Sequence, residues 1–373
     1  MGRADGAALA QTTLDLCRIP SVTGNEAAIA DDLQRRCEAI GPAVRVQRLG
    51  NSVLAWRHVR DGAPCVALVG HSDTVRPAPP DQQPLCIDTE AGRVFGCGAS
   101  DMKGGLAAML ALLAQPGDDQ AAQRQNLLCV FYDKEEGPAD ASGILPICAA
   151  GALQSVDLAL CLEPTDGIVH AGCVGGLQAR VTAPGRRAHS ARPWQGENAI
   201  YAALPLLNRL AAMCRREVIV DGLPFYEVTT ATQANTENSR NVVPERLVLN
   251  INARFAPSRT LAAARAELTA LVKDCSPSLQ IEWIDEAPPG AVSLSDPRLR
   301  AWIDRLGLPI AAKQAWTDVA RLTALGIPAV NFGPGDTDQA HQARESVSID
   351  ALVASVRALR TLLTMDLPGA ARA

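Results

Sequence analysis

The amino-acid sequence predicts an α/β fold: a larger domain with a mixed, mainly parallel sheet covered by helices, and a smaller α+β sandwich inserted into it. Three observations lead there. Short, uninterrupted apolar runs alternate with helical patterns in the first half of the chain, which is how strands buried on both faces read. From about Gly175 to Glu286 the texture changes to runs of alternating polarity, and after that the buried pattern returns. At 373 residues the chain is long enough for two domains of ordinary size. The boundaries read as 1–174 and 287–373 for the larger domain and 175–286 for the insertion.

In chain order, Ala7 to Ile40 reads as two helices broken at Pro20 and Gly24. Four apolar runs bounded by turn residues read as buried strands: Cys65–Gly70, Leu127–Tyr132, Leu158–Leu162 and Ile327–Phe332. Met102–Ala114, rich in Ala and Leu with apolar spacing of three and four, reads as a helix. Within the insertion the order is strand (LQARVTAPG), helix (Asn198–Cys214), strand (EVTTATQANTE), strand (LVLNINARF), helix (Thr260–Cys275) and strand (LQIEWID). That order is the signature of a small sandwich with an antiparallel sheet. A helix at Pro297–Leu306 precedes the last buried strand, and there is no internal repeat or low-complexity segment.

Composition excludes several classes of function. Hydrophobic residues at 47% and charged residues at 20% describe a globular chain, not a disordered one. A net charge of −5 and only 3% aromatic residues argue against a nucleic-acid partner. The first residues, MGRADGAALAQ, hold no apolar segment of signal-peptide type, and no apolar stretch reaches membrane-spanning length, so neither secretion nor a membrane association is expected. The eleven cysteines are odd in number, scattered from Cys17 to Cys275 and free of any C-x-x-C pair. They fit a reduced, cytoplasmic protein in which cysteine packs as a small hydrophobe.

The chemistry collects where the buried runs end. Cys65–Gly70 leads into His71-Ser72-Asp73, Leu127–Tyr132 into Asp133-Lys134-Glu135-Glu136, and Leu158–Leu162 into Glu163. Ile327–Phe332 leads through a Gly-Pro-Gly turn to His341. Ligands of open α/β sheets bind outside the carboxyl ends of the strands, so four such endings indicate a site. A fifth element, Gly96-Cys97-Gly98-Ala99-Ser100-Asp101, resembles a dinucleotide-binding turn but carries Asp101 where a third glycine belongs. A carboxylate there would repel a pyrophosphate; a helix cap by Ser100 or Asp101 is the plainer alternative.

Together His71, Asp101, Glu136, Glu163 and His341 offer two imidazoles and three carboxylates, a set suited to zinc or another borderline transition metal and poorly suited to Ca2+. Three converging carboxylates repel one another strongly unless a cation neutralises them. Two metals sharing one carboxylate would use all five ligands and leave room for a water. Asp73, two residues beyond His71 on the same strand face, can hold the other N–H of that imidazole. Glu135 and Glu136 are adjacent and point in opposite directions, so one can ligate while the other acts as general base; a solvated charge run is the alternative. His189 sits among Arg186, Arg187 and Arg192, in a loop that can reach an oxyanion or serve simply as basic surface. His58 and His170 read as structural.

With these residues in view, the sequence resembles the M20 family of dizinc amidohydrolases and exopeptidases. The motifs that carry the likeness are GHSDTV (Gly70–Val75), GCGASDMKGG (Gly96–Gly105), DKEEG (Asp133–Gly137), CLEPT (Cys161–Thr165) and GPGDTDQAH (Gly333–His341). The narrower likeness, through AGCVGGLQARV, RAHSARPWQGENAI, VPERLVLNINARFAPSR and WTDVARLTALGIPAVNFGPGD, is to succinyl-diaminopimelate desuccinylases of actinobacterial type. The resemblance implies two Zn2+ per subunit, with Co2+ or Mn2+ as substitutes: His71 and Glu163 on one metal, Glu136 and His341 on the other, and Asp101 between them. It further implies Glu135 as the general acid/base, Asp73 as the residue that orients His71, and a cis Asp101–Met102 peptide bond. The insertion becomes a lid and dimerisation domain, and His189 the histidine that reaches the site of the second subunit of a homodimer.

Two departures stand out. Lys134 follows Asp133 where many relatives place an Asp directly before the paired glutamates, and it is expected to face away from the metals. Cys173-Val174-Gly175 carries no charge where proteobacterial desuccinylases have arginines. Substrate carboxylates are assigned by motif match to Arg254 and Asn241, followed by Thr317, Arg192 and Arg240. The implied reaction is hydrolysis of N-succinyl-LL-2,6-diaminopimelate to succinate and LL-2,6-diaminopimelate, a step of lysine biosynthesis. Acetylornithine or acetylcitrulline deacetylation and dipeptide hydrolysis are the alternatives within the family. A metal-dependent binding protein is the alternative outside it, and Glu135, a carboxylate surplus to ligation, argues against that.

Overall fold

The computed structural model describes residues 3–115 and 122–369. The chain opens with α1 (Arg3–Cys17) and α2 (Ala27–Glu38), parted by the turn that holds Pro20 and Gly24. There follow β1 (Val44–Leu49), β2 (Ser52–Arg57), β3 (Cys65–His71), β4 (Cys86–Asp88), β5 (Arg93–Phe95), α3 (Gly104–Leu113), β6 (Asn126–Tyr132), α4 (Ile144–Ala149), β7 (Leu158–Cys161) and β8 (Val169–Ala171). The middle of the chain gives β9 (Gly175–Pro184), β10 (Ala188–His189), α5 (Ala199–Ala211), β11 (Arg216–Val220), β12 (Leu223–Asn235), β13 (Val242–Val243), β14 (Arg246–Phe255), α6 (Leu261–Cys275) and β15 (Gln280–Ala287). The last part contributes α7 (Pro297–Leu306), β16 (Ile310–Ala312), α8 (Val319–Ala324), β17 (Ala329–Asn331), β18 (Ser346–Ser348) and α9 (Ile349–Thr364).

Two compact units result: Met1–Ala171 with Val292–Ala311 and Arg321–Ala373, and Gly172–Ala291 with Ala312–Ala320. The first is built on an eight-stranded sheet in the order β1-β2-β6-β3-β7-β17-β8-β16. Its centre is parallel, β6 with β3, β3 with β7 and β7 with β17. Towards the edges β1, β2 and β8 pair antiparallel. The predicted α/β class with a mixed, mainly parallel sheet is therefore the one found. Every residue of β3 is buried, and so is every residue of β6 after Asn126, because both faces of the sheet are covered. The helices α1, α3 and α9 pack on one another. Trp302 of α7 donates its indole N–H to the Ala358 carbonyl of α9 at 2.9 Å and meets Phe332 edge to face.

The second unit holds an antiparallel sheet in the order β11-β12-β14-β9-β15. Alternate residues of β14 (Leu247, Leu249, Ile251, Ala253, Phe255) and of β9 (Leu177, Ala179, Val181, Ala183) are buried against Ala203, Leu206 and Leu210 of α5 and Leu268 and Val272 of α6. Caps fix the two helix starts: Asn198 accepts the N–H of Ile200 and Thr260 that of Ala263. The strand–helix–strand–strand–helix–strand order stands, with the short β10–β13 ribbon and one more strand of the sheet added to it. Arg216–Val220 forms a fifth strand, joined to β12 through Asp221-Gly222, both at positive φ. An Asp-Gly pair between apolar runs is the standard signal of a tight hairpin.

The helix expected at Met102–Ala114 is shorter. It starts at Gly104, because Ala99–Lys103 forms an irregular turn with non-helical Asp101 and Met102 and a cis bond between them. None of the eleven cysteines is joined in a disulfide. Among the described residues no helix is long and apolar enough to cross a membrane.

The start of α3 sits hard against β7. A Cβ on Gly105 would lie 2.7 Å from the Leu162 carbonyl oxygen and 2.9 Å from Met102 Cε. Alanine in a helix gains up to about 1 kcal/mol over glycine, whereas overpacking costs about 1–3 kcal/mol, and a backbone carbonyl cannot rotate away. Gly105→Ala should therefore lower the thermal midpoint despite its better helix propensity; calorimetry of the two proteins checks this.

Candidate metal centre

The parallel strands β6, β3, β7 and β17 lie side by side, so their carboxyl ends share one rim. β3 ends on His71, paired with Tyr132 of β6. β6 continues to Glu135 and Glu136, β7 to Glu163, and β17 through a loop to His341. Asp101 comes from the irregular turn before α3. Two groups of donors result. His71, Asp101 and Glu163 offer ligand atoms within 4.8 Å of one another, and so do Asp101, Glu136 and His341; Asp101 belongs to both.

His71 is buried, and its Nε2 faces Asp101 Oδ1 at 3.1 Å. Its Nδ1 meets Asp73, the backbone carbonyl at 3.0 Å and the carboxylate at 3.4 Å. The sequence reading gave this contact to the carboxylate, and the closer partner is the main chain. The Asp73 carboxylate has other donors: it accepts the N–H groups of Glu135 (2.9 Å) and Glu136 (3.0 Å) and the Thr23 hydroxyl (2.9 Å). His341 Nε2 lies 2.9 Å from Glu136 Oε1 and 3.7 Å from Asp101 Oδ2. Lys134 turns to Asp133, its Nζ at 3.4 Å, and Asp133 is held in turn by the Ser52 hydroxyl at 2.7 Å.

The loop before His341 is tied down at both ends. The Gly335 carbonyl accepts the N–H groups of Thr165 and Asp166 at 3.0 and 2.9 Å. Arg93 pairs with Asp336 and donates to the Ser346 hydroxyl and carbonyl.

The electrostatics are those of a cluster of negative charge. Burial lowers the pKa of His71, but hydrogen bonds to Asp101 and Asp73 and the charge of Glu135 outweigh it and hold the ring well above its ordinary value. Glu136 raises His341 to about 9 against the opposing effect of burial. For Asp73, burial pushes the carboxyl up, and hydrogen bonding to His71 together with the Glu135 N–H leaves it below the usual carboxylate range. A field that draws protons onto two imidazoles draws dications as well. Two neutral imidazoles and three carboxylates, one of them shared, fit two borderline divalent ions.

The remaining predicted residues lie in the second unit. The β10–β13 ribbon pairs His189 with Val242, and the Asn241 carbonyl accepts the Ser190 N–H at 2.9 Å, so His189 and Asn241 are neighbours. Arg192, whose N–H donates to the His189 carbonyl at 2.8 Å, and Arg240 are exposed beside them. His189 Nδ1 accepts the Ala191 N–H at 3.0 Å, which leaves Nε2 as the N–H donor of the neutral ring. Arg254 is elsewhere, on β14, with its guanidinium over Gly176 of β9. Burial pushes it below the ordinary arginine value, the charge of Asp285 opposing, and it makes no hydrogen bond or ion pair among the described residues. Thr317 is buried, and among the described residues its hydroxyl has no hydrogen-bond partner.

Sequence reasoning passed over Thr23, Arg93 and Glu345. Thr23 stands in the Pro20–Gly24 break, which signalled only a helix end. Glu345 is buried under the Asp101 turn, and burial pushes it up to about 7 against the N–H groups of Asp101, Gly98 and Ser100. Its position four residues after His341 is the only hint the sequence holds.

A family profile described as peptidase family M20/M25/M40 matches residues 67–365. A Mycobacterium tuberculosis protein provisionally named as a succinyl-diaminopimelate desuccinylase is 38% identical, across 95% of this chain and 97% of its own. The Corynebacterium glutamicum protein named succinyl-diaminopimelate desuccinylase is 36% identical, across 94% and 95%. Among solved structures, a tripeptidase from Staphylococcus aureus matches in fold with a TM-score of 0.77, at 20% identity, over 96% of this chain and 98% of that one.

The sharing of Asp101 makes a definite stoichiometric expectation. Titration of chelator-treated protein with Co2+ or Zn2+, followed by calorimetry, should give two ions for the unaltered chain. Glu163→Ala and His341→Ala should each lose one, and Asp101→Ala should weaken both. A single ion lost from Asp101→Ala would show that it serves one site only.

Proposed function

The chain belongs to peptidase family M20/M25/M40, and on that premise we propose that it hydrolyses the amide bond of an N-acyl amino acid, N-succinyl-LL-2,6-diaminopimelate before others, with two zinc ions in each subunit. The observation that carries the proposal is the pair of donor groups joined at Asp101. The substrate rests on the two relatives named for that reaction, which align with this chain over nearly their whole lengths.

The proposed roles follow from the residues. His71 and Glu163 would hold one ion, Glu136 and His341 the other, and Asp101 both; bound there, the ions would polarise the amide carbonyl and lower the pKa of a water between them. Glu135 is the proposed base: it takes the proton of the attacking water and returns it to the departing amine. Its backbone N–H on Asp73 Oδ1 fixes the turn that presents it. His189, with Nε2–H as donor, would stabilise the oxyanion of the tetrahedral species. Arg254, whose guanidinium makes no ion pair among the described residues, is proposed to hold a substrate carboxylate. Asn241, Arg192 and Arg240 on the His189 ribbon, and Thr317, are proposed as further contacts.

We assign the His189 that serves each site to a second copy of the chain. Helix α5 exposes Ile200, Tyr201 (68%) and Leu204. Nearby, β12 from Val228 to Asn235 pairs among the described residues with β14 alone, β11 reaching only as far as Glu227. An apolar helix face beside an open strand edge suits an interface between two copies.

Steady-state kinetics on N-succinyl-LL-2,6-diaminopimelate, N-acetylornithine and a dipeptide, with zinc added, tests the substrate. The succinyl substrate should exceed the others in kcat/KM by at least about tenfold, which is about 1.4 kcal/mol of discrimination; a higher value for either competitor would overturn the assignment. Glu135→Gln should keep both ions and lose about 10²–10⁴-fold in kcat, and full activity would place the base elsewhere. His189→Ala should cost about 10²–10³-fold in kcat with metal content unchanged. Mixing Glu135→Gln with His189→Ala subunits should restore activity, since one site of each hybrid dimer then has both groups. If hybrids form and activity stays at the level of the separate variants, the histidine acts within its own subunit.

A further inference from the structure

Outside the proposed ligand set and its contacts on Asp73, one more buried carboxylate meets the site. Glu345 is 2% exposed. Its Oε2 accepts the Gly98 N–H at 2.7 Å, and its Oε1 accepts the N–H groups of Ser100 and Asp101, both at 2.9 Å. Its own carbonyl takes the Gly96 N–H at 3.1 Å. The turn can offer these donors together because Gly98 has φ +80, and the backbone there curls around a single acceptor. The two segments are registered by a strand pair as well, Ser346 of β18 opposite Phe95 of β5.

We propose that Glu345 is a positioning residue for the shared metal ligand: its carboxylate gathers the backbone of the Gly96–Asp101 turn and so fixes where Asp101 points. The proposal rests on the reading of Asp101 as the ligand common to both ions. Both oxygens of Glu345 are engaged by amide N–H groups, and so it acts through Asp101 and not as a ligand itself. Three N–H donors on one buried carboxylate are charge-assisted bonds, stronger than neutral ones. Withdrawing the acceptor leaves buried donors unpaired and frees the turn to move. Glu345 also shares a short segment with His341, so the same piece of chain carries a ligand of one donor group and the clamp on the ligand common to both.

Glu345→Gln is the informative change, since it keeps the shape and removes half the acceptor capacity: the new amide NH2 must face at least one backbone donor. Co2+ titration of the folded, metal-free variant, followed by its visible absorption, should show both dissociation constants raised about 10–100-fold, as for loss of an outer-shell partner. The absorption of the loaded variant should differ from that of the unaltered protein, a change that loss of stability alone would not produce. Leu268→Ala, which opens a cavity in the core of the second unit and touches no donor residue, is the control, destabilised with metal affinity retained. If Glu345→Gln binds two ions with unchanged affinity and spectrum, the proposal fails. If Asp101→Ala gives up only one ion, the shared-ligand reading fails instead, and the Glu345 effect should then be confined to that ion. Should Glu345→Gln not fold, Glu345→Asp, with the charge kept and the reach shortened, should show the same shift in affinity, and an unshifted titration for it would equally overturn the proposal.

Discussion

Asp101 belongs to both donor groups, and the repulsion this sharing creates governs the rest of the site. Unit charges about 4 Å apart interact by about 4 kcal/mol at the effective dielectric of a protein, and here Asp101, Glu136 and Glu163 converge with Glu135 close by. Lys134, beside Glu135 in sequence, is turned to Asp133. The chain manages the cluster from behind. Asp73 and Glu345, neither among the donor groups, spend their oxygens on backbone N–H groups of the loops that carry the ligands. The loops that carry the donor carboxylates are thereby fixed from behind, which favours the binding of a cation there.

The sheet explains why this can be done at one rim. Adjacent parallel strands bring their carboxyl ends together without any long connection, and His71, Glu136 and Glu163 are each within a few residues of such an end. This much was legible in the sequence, because an apolar run followed at once by His, Asp or Glu marks both the strand and its end. The α/β class was legible for the same reason. Other features were written less plainly. The Asp221-Gly222 hairpin was signalled and passed over, since the alternation of β12 was taken to begin at Glu227. Helix α3 was read too long because the Ala/Leu pattern continues back through Met102, whereas the need to present Asp101 bends the backbone out of helix. Glu345 and Thr23 were not legible at all: their contacts are to main-chain atoms and to residues distant in sequence, and neither leaves a periodic or spaced pattern.

In the second unit, pairing decides the chemistry that each residue can do. His189 carries its proton on Nε2 because a local N–H occupies Nδ1; the loop, and not a carboxylate, sets the tautomer. In that tautomer the ring offers Nε2–H as a hydrogen-bond donor. Arg254 is the opposite case. The part-buried Arg259 and its neighbour Arg216 pair with Glu227, and Arg180 pairs with Glu282. Arg254 lies over a glycine and makes no ion pair among the described residues, Asp285 acting on it only at longer range. A half-buried guanidinium without an anion is costly in folding terms, and a bound carboxylate would remove that cost.

The same reasoning separates two roles that Asp73 might otherwise be given as one. If its task were to hold His71 in the right tautomer, the backbone carbonyl at 3.0 Å would already suffice, since a carbonyl accepts the Nδ1 proton as surely as a carboxylate does. The carboxylate instead bridges Thr23 and the N–H groups of two successive residues, the proposed base and the proposed ligand. An asparagine would keep the carbonyl contact to His71 but could not accept from all three donors, because one of its two polar atoms is itself a donor. The charge of Asp73 therefore serves two tasks: it fixes the geometry of the Glu135–Glu136 turn, and it acts on His71, whose Nδ1 has the carboxylate at 3.4 Å beside the closer main-chain carbonyl.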